Sequence, residues 1–167
     1  MTSMGRVLVL GYGNPAREDD GLGPLIAERI GELGLTGVEV DSDYQLTVED
    51  AAAVAEYDAV VFVDAAVEGP EPFSWARVEP VAEDAFSTHA MTAGRVLGLA
   101  RELFGARAEA YLLGVRGYSF RMFCEQMTAK AARNARRAGR FLARRIGAGL
   151  GGASAVGSAA ETERGRP

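Results

Sequence analysis

Acidic side chains and a single imidazole occur at three separate points of the chain, each beside a turn or an apolar run. Asp20 closes an acidic run, Asp64 directly follows five apolar residues, and His89 is the only histidine of the 167 residues. Two carboxylates and one imidazole suit zinc, nickel or iron. Each residue alone also has a structural interpretation, as a solvated acidic turn, a loop-pinning aspartate or a satisfied histidine near a helix start.

The loop after the first predicted strand begins Gly11-Tyr12-Gly13-Asn14-Pro15-Ala16 and matches the loose glycine pattern of dinucleotide sites. A dinucleotide site needs free amides and positive potential at a helix N-terminus. Here Pro15 removes an amide, and the acidic residues 18–20 place negative charge where a pyrophosphate would lie. The pattern therefore favours a cation over a nucleotide.

The acidic side chains of this loop are predicted to divide between structure and ligand binding. Asn14 is expected to hydrogen-bond the loop backbone. Asp19 is expected to cap the helix that follows. That assignment leaves Glu18 or Asp20 to face a ligand.

The sequence gives little support for a catalytic nucleophile. Cys124, considered with His89 as a thiol-protease pair, lies among apolar residues, which predicts a buried and inert thiol. Neither Ser87 nor Ser119 has a nucleophile-elbow pattern around it. A single cysteine also excludes a disulfide framework and a multi-thiolate zinc site, and it fits a reducing compartment.

The predicted elements alternate in the order βαβαββαβα. Strands are expected at 7–10, 38–40, 59–63, 73–78 and 110–115, and helices at 21–33, 47–57, 92–104 and 128–146. Apolar strands that alternate with helices predict an α/β fold, a three-layer αβα arrangement around a mostly parallel sheet of about five strands. The segment 73–78 is the candidate for an antiparallel edge strand. Strand carboxyl ends share one edge of such a sheet, which predicts that Asp20, Asp64 and His89 converge there.

Composition and charge limit the remaining classes. The chain is 48% hydrophobic and 25% charged, which predicts one globular domain over residues 1–149 and a disordered Gly/Ala/Ser-rich tail over 150–167. No apolar run approaches the ~20 residues of a membrane span. The net charge of −5 argues against general nucleic-acid binding.

Positive charge is concentrated in the last predicted helix. Residues 127–149 carry seven basic and no acidic side chains. The basic face of this helix is interpreted as exposed to solvent, with an alanine-rich face turned toward the core. A docking surface for an acidic partner and a membrane-surface helix are the alternatives, the second weakened by the small apolar side chains.

The order and spacing of the first motifs resemble the [NiFe]-hydrogenase maturation proteases. The shared features are Gly11-x-Gly13-Asn14, Asp19-Asp20-Gly21-x-Gly23, Val-Asp64-Ala and Ser-x-His89. The resemblance spans residues 6–146, and the ordered set makes it specific.

The resemblance implies a twisted sheet between helices and an endopeptidase that removes a C-terminal extension from the hydrogenase large-subunit precursor after nickel insertion. By match with the family, Asp20, Asp64 and His89 are the catalytic and nickel-recognising residues. The substrate supplies the nickel, and the isolated site can hold another divalent metal. An aspartate acting as general base remains an alternative to one acting as ligand. Further residues of the first loop would shape it: Asn14, Asp19, Gly21 and Gly23.

Two other functions fit part of the pattern, a non-catalytic nickel-sensing chaperone of the large subunit and a dinucleotide-binding domain. The sequence departs from better-known members at residues 43–47, which lack a glycine-rich turn, and in the variable loop 116–120. Both departures concern which precursor is bound. We expect a cytoplasmic monomer that binds neither nucleic acid nor membrane.

Overall fold

The computed structural model describes residues 5–82 and 91–151, in which five strands and four α-helices alternate. The strands are β1 (Val7–Tyr12), β2 (Val38–Asp43), β3 (Ala59–Ala66), β4 (Phe73–Arg77) and β5 (Glu109–Arg116). The helices are α1 (Leu22–Glu32), α2 (Glu49–Val54), α3 (Ala93–Phe104) and α4 (Ala129–Ala148), and a 3-10 turn covers Glu18–Gly21 before α1.

The strands form one sheet in the order β2-β1-β3-β5-β4. The first four in this order pair in parallel, and β4 pairs antiparallel with β5 at the edge. This confirms the predicted mixed sheet. The central strands β1 and β3 are buried along most of their length because helices cover both faces, which explains their continuous apolar sequence.

Each face of the sheet has its own hydrophobic core. On one face α1 and α4 pack over β1, β3 and β5, and Trp75 stacks on Tyr111 with ring centroids 5.1 Å apart. On the other face α2 and α3 cover Leu10 and Phe62. The alternation of inward side chains along each strand divides the apolar residues between these two layers.

The ends of several elements differ from the sequence-based prediction. Strand β1 continues to Tyr12 and β3 to Ala66, while α2 is shorter than expected. Helix α4 continues to Ala148, so the first residues of the Gly/Ala-rich stretch are helical. Leu150, at the start of the predicted tail, is buried against the core. Residues 152–167 lie outside the described part of the chain, and their predicted disorder stays a prediction.

The direction in which the chain adds strands to the sheet reverses between β1 and β3. From β1 the chain crosses to β2 on one side and then returns to β3 on the other, which leaves a crevice at the carboxyl ends of β1 and β3. Helix α1 approaches this crevice backbone to backbone: a Cβ on Gly11 would collide with the Gly23 carbonyl oxygen. Only glycine permits such close packing there.

No helix within residues 5–82 and 91–151 is both long enough and apolar enough to cross a bilayer.

Candidate active site

Asp64 lies in a cleft at the carboxyl end of β3. The strand extends beyond its predicted end, so Asp64 is held in register beside Gly114 of β5 rather than in a loop. The cleft has a volume of about 420 Å³. It is lined by Asp64 and by residues of β1, β4, β5 and the start of α3: Tyr12, Ala76, Arg77, Val78, Met91, Thr92, Ala93, Gly94 and Leu112.

The environment of Asp64 disfavours its charge. Burial first, and the negative charge of Asp20 second, raise the pKa of the Asp64 carboxyl to about 6. The Ala65 backbone N–H and the Tyr12 hydroxyl act in the opposite direction by donating hydrogen bonds to the carboxylate. Asp64 therefore changes protonation state close to neutral pH, as a general acid or base must.

Tyr12 is a site residue that sequence reasoning missed. It is the last residue of β1, between two glycines, and its hydroxyl donates to Asp64. Burial and the negative charge of Asp64 raise the pKa of Tyr12, which keeps the hydroxyl protonated. The sequence feature that could have identified Tyr12 is its position at the carboxyl end of β1, the end at which ligands bind in such sheets.

Asp20 lies on the neighbouring loop and helps to fix its shape. Its Oδ2 accepts the Asn14 backbone N–H at 2.8 Å. Gly13 has φ +141°, and a Cβ there would collide with the Asp20 carbonyl oxygen, so the turn requires glycine. Asp20 also lies within electrostatic range of Asp64, because its negative charge raises the pKa of that carboxyl.

His89 lies outside the described residues, so the convergence of all three predicted ligands stays a prediction. Met91, two positions further along, lines the cleft together with Asp64. Within the part of the chain that the structure describes, no three His, Cys, Asp or Glu side chains form a group able to hold a metal ion.

Glu18 does not face a ligand, which corrects one of the two options for the acidic run. Its carboxylate accepts hydrogen bonds from the Ser119 hydroxyl and from the backbone and guanidinium of Arg121, the latter at 2.7 and 2.9 Å. These donors hold the pKa of Glu18 at about 2. Each of these bonds of the carboxylate goes to the loop after β5, so Glu18 is a structural anion.

Asp19 does not cap α1, contrary to the prediction. The N-cap residue of α1 is Gly21, with no side-chain bond. The fully buried Asp19 carboxylate instead accepts from the backbone N–H groups of Tyr118, Ser119 and Thr128 and from the Thr128 hydroxyl, at 2.7 to 3.1 Å. It joins the first loop to the residues that lead into α4.

The remaining loop predictions have mixed outcomes. Asn14 Oδ1 accepts the Ala16 N–H at 2.9 Å, as predicted. Cys124 is half-buried rather than buried. Its backbone N–H donates to Ala16 at 2.9 Å and its carbonyl accepts from Glu18 at 2.7 Å, which adds a backbone link between the two loops. The Ser119 hydroxyl is engaged by Glu18, and Ser87 lies outside the described residues.

Helix α4 has the predicted two-sided character. Its inner face packs Ala131, Ala135, Ala138 and Leu142 into the core. Its basic residues are mostly exposed: Lys130, Arg133, Arg136, Arg137, Arg140 and Arg144. Lys130 pairs with Glu71 at 3.0 Å and lies over the Tyr118 ring.

The fold and the site together define an α/β protein with one carboxylate, Asp64, in a cleft at the carboxyl ends of the strands and within electrostatic range of a second, Asp20. Ligands and substrates bind at this position in open α/β sheets. The perturbed Asp64 strengthens the assignment of the crevice as a functional site.

Solved structures of hydrogenase maturation proteases have the same fold. The chain is 28% identical to HycI, a [NiFe] hydrogenase maturation protease from Thermococcus kodakarensis, over 85% of this chain and 92% of that one, with a TM-score of 0.66. It is 23% identical to the maturating endopeptidase HybD from E. coli, over 86% and 94%, with a TM-score of 0.63. No protein-family model matches the chain, and no curated protein matches it. The predicted resemblance to this family is confirmed.

Proposed function

We propose that this protein is an endopeptidase that removes the C-terminal extension of a [NiFe]-hydrogenase large-subunit precursor after nickel insertion. The similarity to several named maturation peptidases supports peptidase activity. The observation that carries the proposal is Asp64 in the cleft at the carboxyl end of β3, within electrostatic range of Asp20. We place the activity in the cytoplasm and assign it to a monomer.

Nickel enters this proposal as part of the substrate. The precursor brings the ion, and Asp20, Asp64 and His89 recognise it through oxygen and nitrogen ligands, which suit a divalent transition metal. Met91 lines the same cleft as Asp64 and is two positions from His89 in the sequence. His89 is included because the Ser-x-His motif resembles that of the maturation proteases.

The residues of the cleft can act on the scissile bond in a defined way. Asp64, with its pKa near 6, is partly ionised around neutral pH and can accept a proton from an attacking water. The Tyr12 hydroxyl orients the carboxylate by donating to it. Recognition of nickel by the same carboxylates would position the peptide beside them, which lowers the entropic cost of the reaction.

The central experiment compares nickel-loaded with nickel-free precursor, using mass spectrometry of the large subunit as readout. We expect the purified protein to shorten only the loaded precursor by one C-terminal peptide. Equal cleavage of both forms would contradict nickel recognition. A stable complex of unchanged mass would instead favour the chaperone function.

The site assignment is tested by Asp20→Asn, Asp64→Asn and His89→Ala. Each variant is expected to lose processing while keeping the circular dichroism spectrum of the wild type. Glu68→Gln is the matched control, because Glu68 is an exposed carboxylate four residues after Asp64. Wild-type processing by any of the three site variants would remove that residue from the site.

A further inference from the structure

Exposed apolar side chains lie at the same edge of the sheet as Asp20 and Asp64. Tyr44 follows β2, Val67 follows β3, and Met122 and Phe123 lie in the loop after β5. Phe123 has 92% of its surface exposed, more than any other large hydrophobic residue in the described ranges. A fully exposed aromatic side chain gains nothing from folding, so its position calls for another explanation.

The loop that carries Phe123 is firmly attached to the candidate site. Glu18 and Asp19 bind residues 118–121 and Thr128 through their carboxylates. The backbone of Cys124 pairs with that of residues 16–18. Phe123 therefore projects from a loop that is held by hydrogen bonds to the loop before α1, which contains Asp20.

Backbone strain is located in the same pair of loops. Among non-glycine residues in the ranges 5–82 and 91–151, the left-handed region is occupied by Glu18, with φ 48°, and Phe123, with φ 58°. This conformation is unfavourable for a bulky side chain. Strain of this kind persists where surrounding contacts enforce it, and it concentrates at functional sites. Here the hydrogen bonds of Glu18 and Cys124 enforce it on both sides.

We propose that Phe123, assisted by Met122, is a docking anchor that inserts into an apolar pocket on the folded surface of the large-subunit precursor. The proposal rests on the proposed function and names how the same site holds its substrate. Strand β5 lies next to β3 in the sheet, about 5 Å away, so the loop after β5 leaves the sheet at the same end as the Asp64 carboxylate. An anchor there would direct a chain terminus of the bound protein toward the two carboxylates.

The charge around the anchor favours a protein partner over a membrane. Glu125 is an exposed acidic residue two positions after Phe123, and the charge of Arg121, two positions before it, is balanced by its ion pair with Glu18. Residues 1–126 carry 21 acidic against 9 basic side chains. Anionic lipid headgroups would be repelled by such a surface. An aromatic anchor in an apolar pocket is the common form of a protein–protein hot spot.

The test compares Phe123→Asn with the matched control Phe104→Asn. Asparagine is among the residues that best tolerate a positive φ, so the first variant removes the ring without straining the loop further. Phe104 is also exposed, at 51%, but it ends α3 at the opposite edge of the sheet. Thermal unfolding should show both variants folded.

We expect Phe123→Asn to raise the KM for the nickel-loaded precursor about tenfold or more with kcat nearly unchanged. Phe104→Asn should leave both constants at the wild-type values. The affinity of each variant for the precursor, measured by calorimetry without turnover, should change in the same way.

Wild-type affinity and KM in Phe123→Asn would overturn the docking proposal while leaving the proposed function intact. If the wild type binds but does not cut the precursor, the proposed function fails, and the affinity comparison alone decides whether Phe123 docks it. A wild-type dimer in sedimentation that Phe123→Asn converts to a monomer, with precursor affinity unchanged, would overturn the proposal in favour of a second copy of this chain.

Discussion

Two pairs of carboxylates at the same edge of the sheet differ in what surrounds them. Glu18 and Asp19 are buried and accept hydrogen bonds from the loop after β5 and the start of α4. Asp64 lines the cleft at the carboxyl end of β3, and the negative charge of Asp20 on the neighbouring loop makes its ionisation harder. Three carboxylates that are adjacent in the sequence, Glu18, Asp19 and Asp20, thus lie in different surroundings.

The pKa values express this difference. The pKa of Glu18 falls to about 2 because donors surround its charged form, whereas burial near a like charge raises the pKa of Asp64 to about 6. A carboxylate stabilised as an anion holds structure together. A carboxylate kept near its protonation midpoint at neutral pH can exchange a proton or accept a cation. Four predictions test this contrast.

The largest expected effect is on catalysis at Asp64. Replacing Asp64 with asparagine keeps the shape but removes the base, so processing should fall by about 100-fold or more. Glu18→Gln, in the structural pair, should retain far more activity at a temperature where it is folded. The measurement is the initial rate of precursor shortening. Similar losses in the two variants would show that the pairs do not differ in function.

The second effect is on stability at Asp19. Asp19→Ala leaves four donors without their acceptor in a buried position, so the free energy of unfolding should fall by about 3–5 kcal/mol. Glu28→Ala, an exposed carboxylate on α1, should change it by less than about 0.5 kcal/mol. Urea unfolding at neutral pH provides both values. A loss at Asp19 as small as the control's would mean that the two loops are not joined through this residue.

The third expected effect is a gain in stability rather than a loss. Because the folded-state pKa of Asp64 is raised from 3.8 to about 6, ionised Asp64 destabilises the fold as pH rises through that interval. Asp64→Asn should therefore be more stable than the wild type at pH 8, by up to about 3 kcal/mol. The difference should disappear below about pH 3, where Asp64 is protonated in both states. Equal stability at pH 8 would show that the site does not disfavour the charge.

The smallest effect concerns the pH dependence at Glu18. Its depressed pKa stabilises the fold above the ordinary glutamate value of 4.5, and this contribution is lost as pH falls toward 2. Glu18→Gln should lower the thermal midpoint by a few degrees at pH 7 and approach the wild type near pH 2. A gap of constant size across this range would assign the effect to packing rather than charge.

Local sequence patterns predicted much of the fold. The apolar runs that became β1 and β3 and the periodic segments that became α1, α3 and α4 were placed within a few residues, because burial on both faces or on one stripe leaves a direct pattern. The ends were less certain: β3 continues to Ala66 through the polar Asp64 because pairing with β5 extends it. The position of Asp64 at the site edge followed from the fold class.

The sequence by itself determined the α/β fold, the resemblance to maturation proteases and the end of the sheet at which Asp64 lies. Only the tertiary structure decided which acidic residues are structural. Asp19 finds its donors 99 to 109 residues away, and the exposure of Phe123 depends on the same contacts between the two loops. The physical reason is that a carboxylate's role depends on the donors, charges and solvent around it, which no local pattern records.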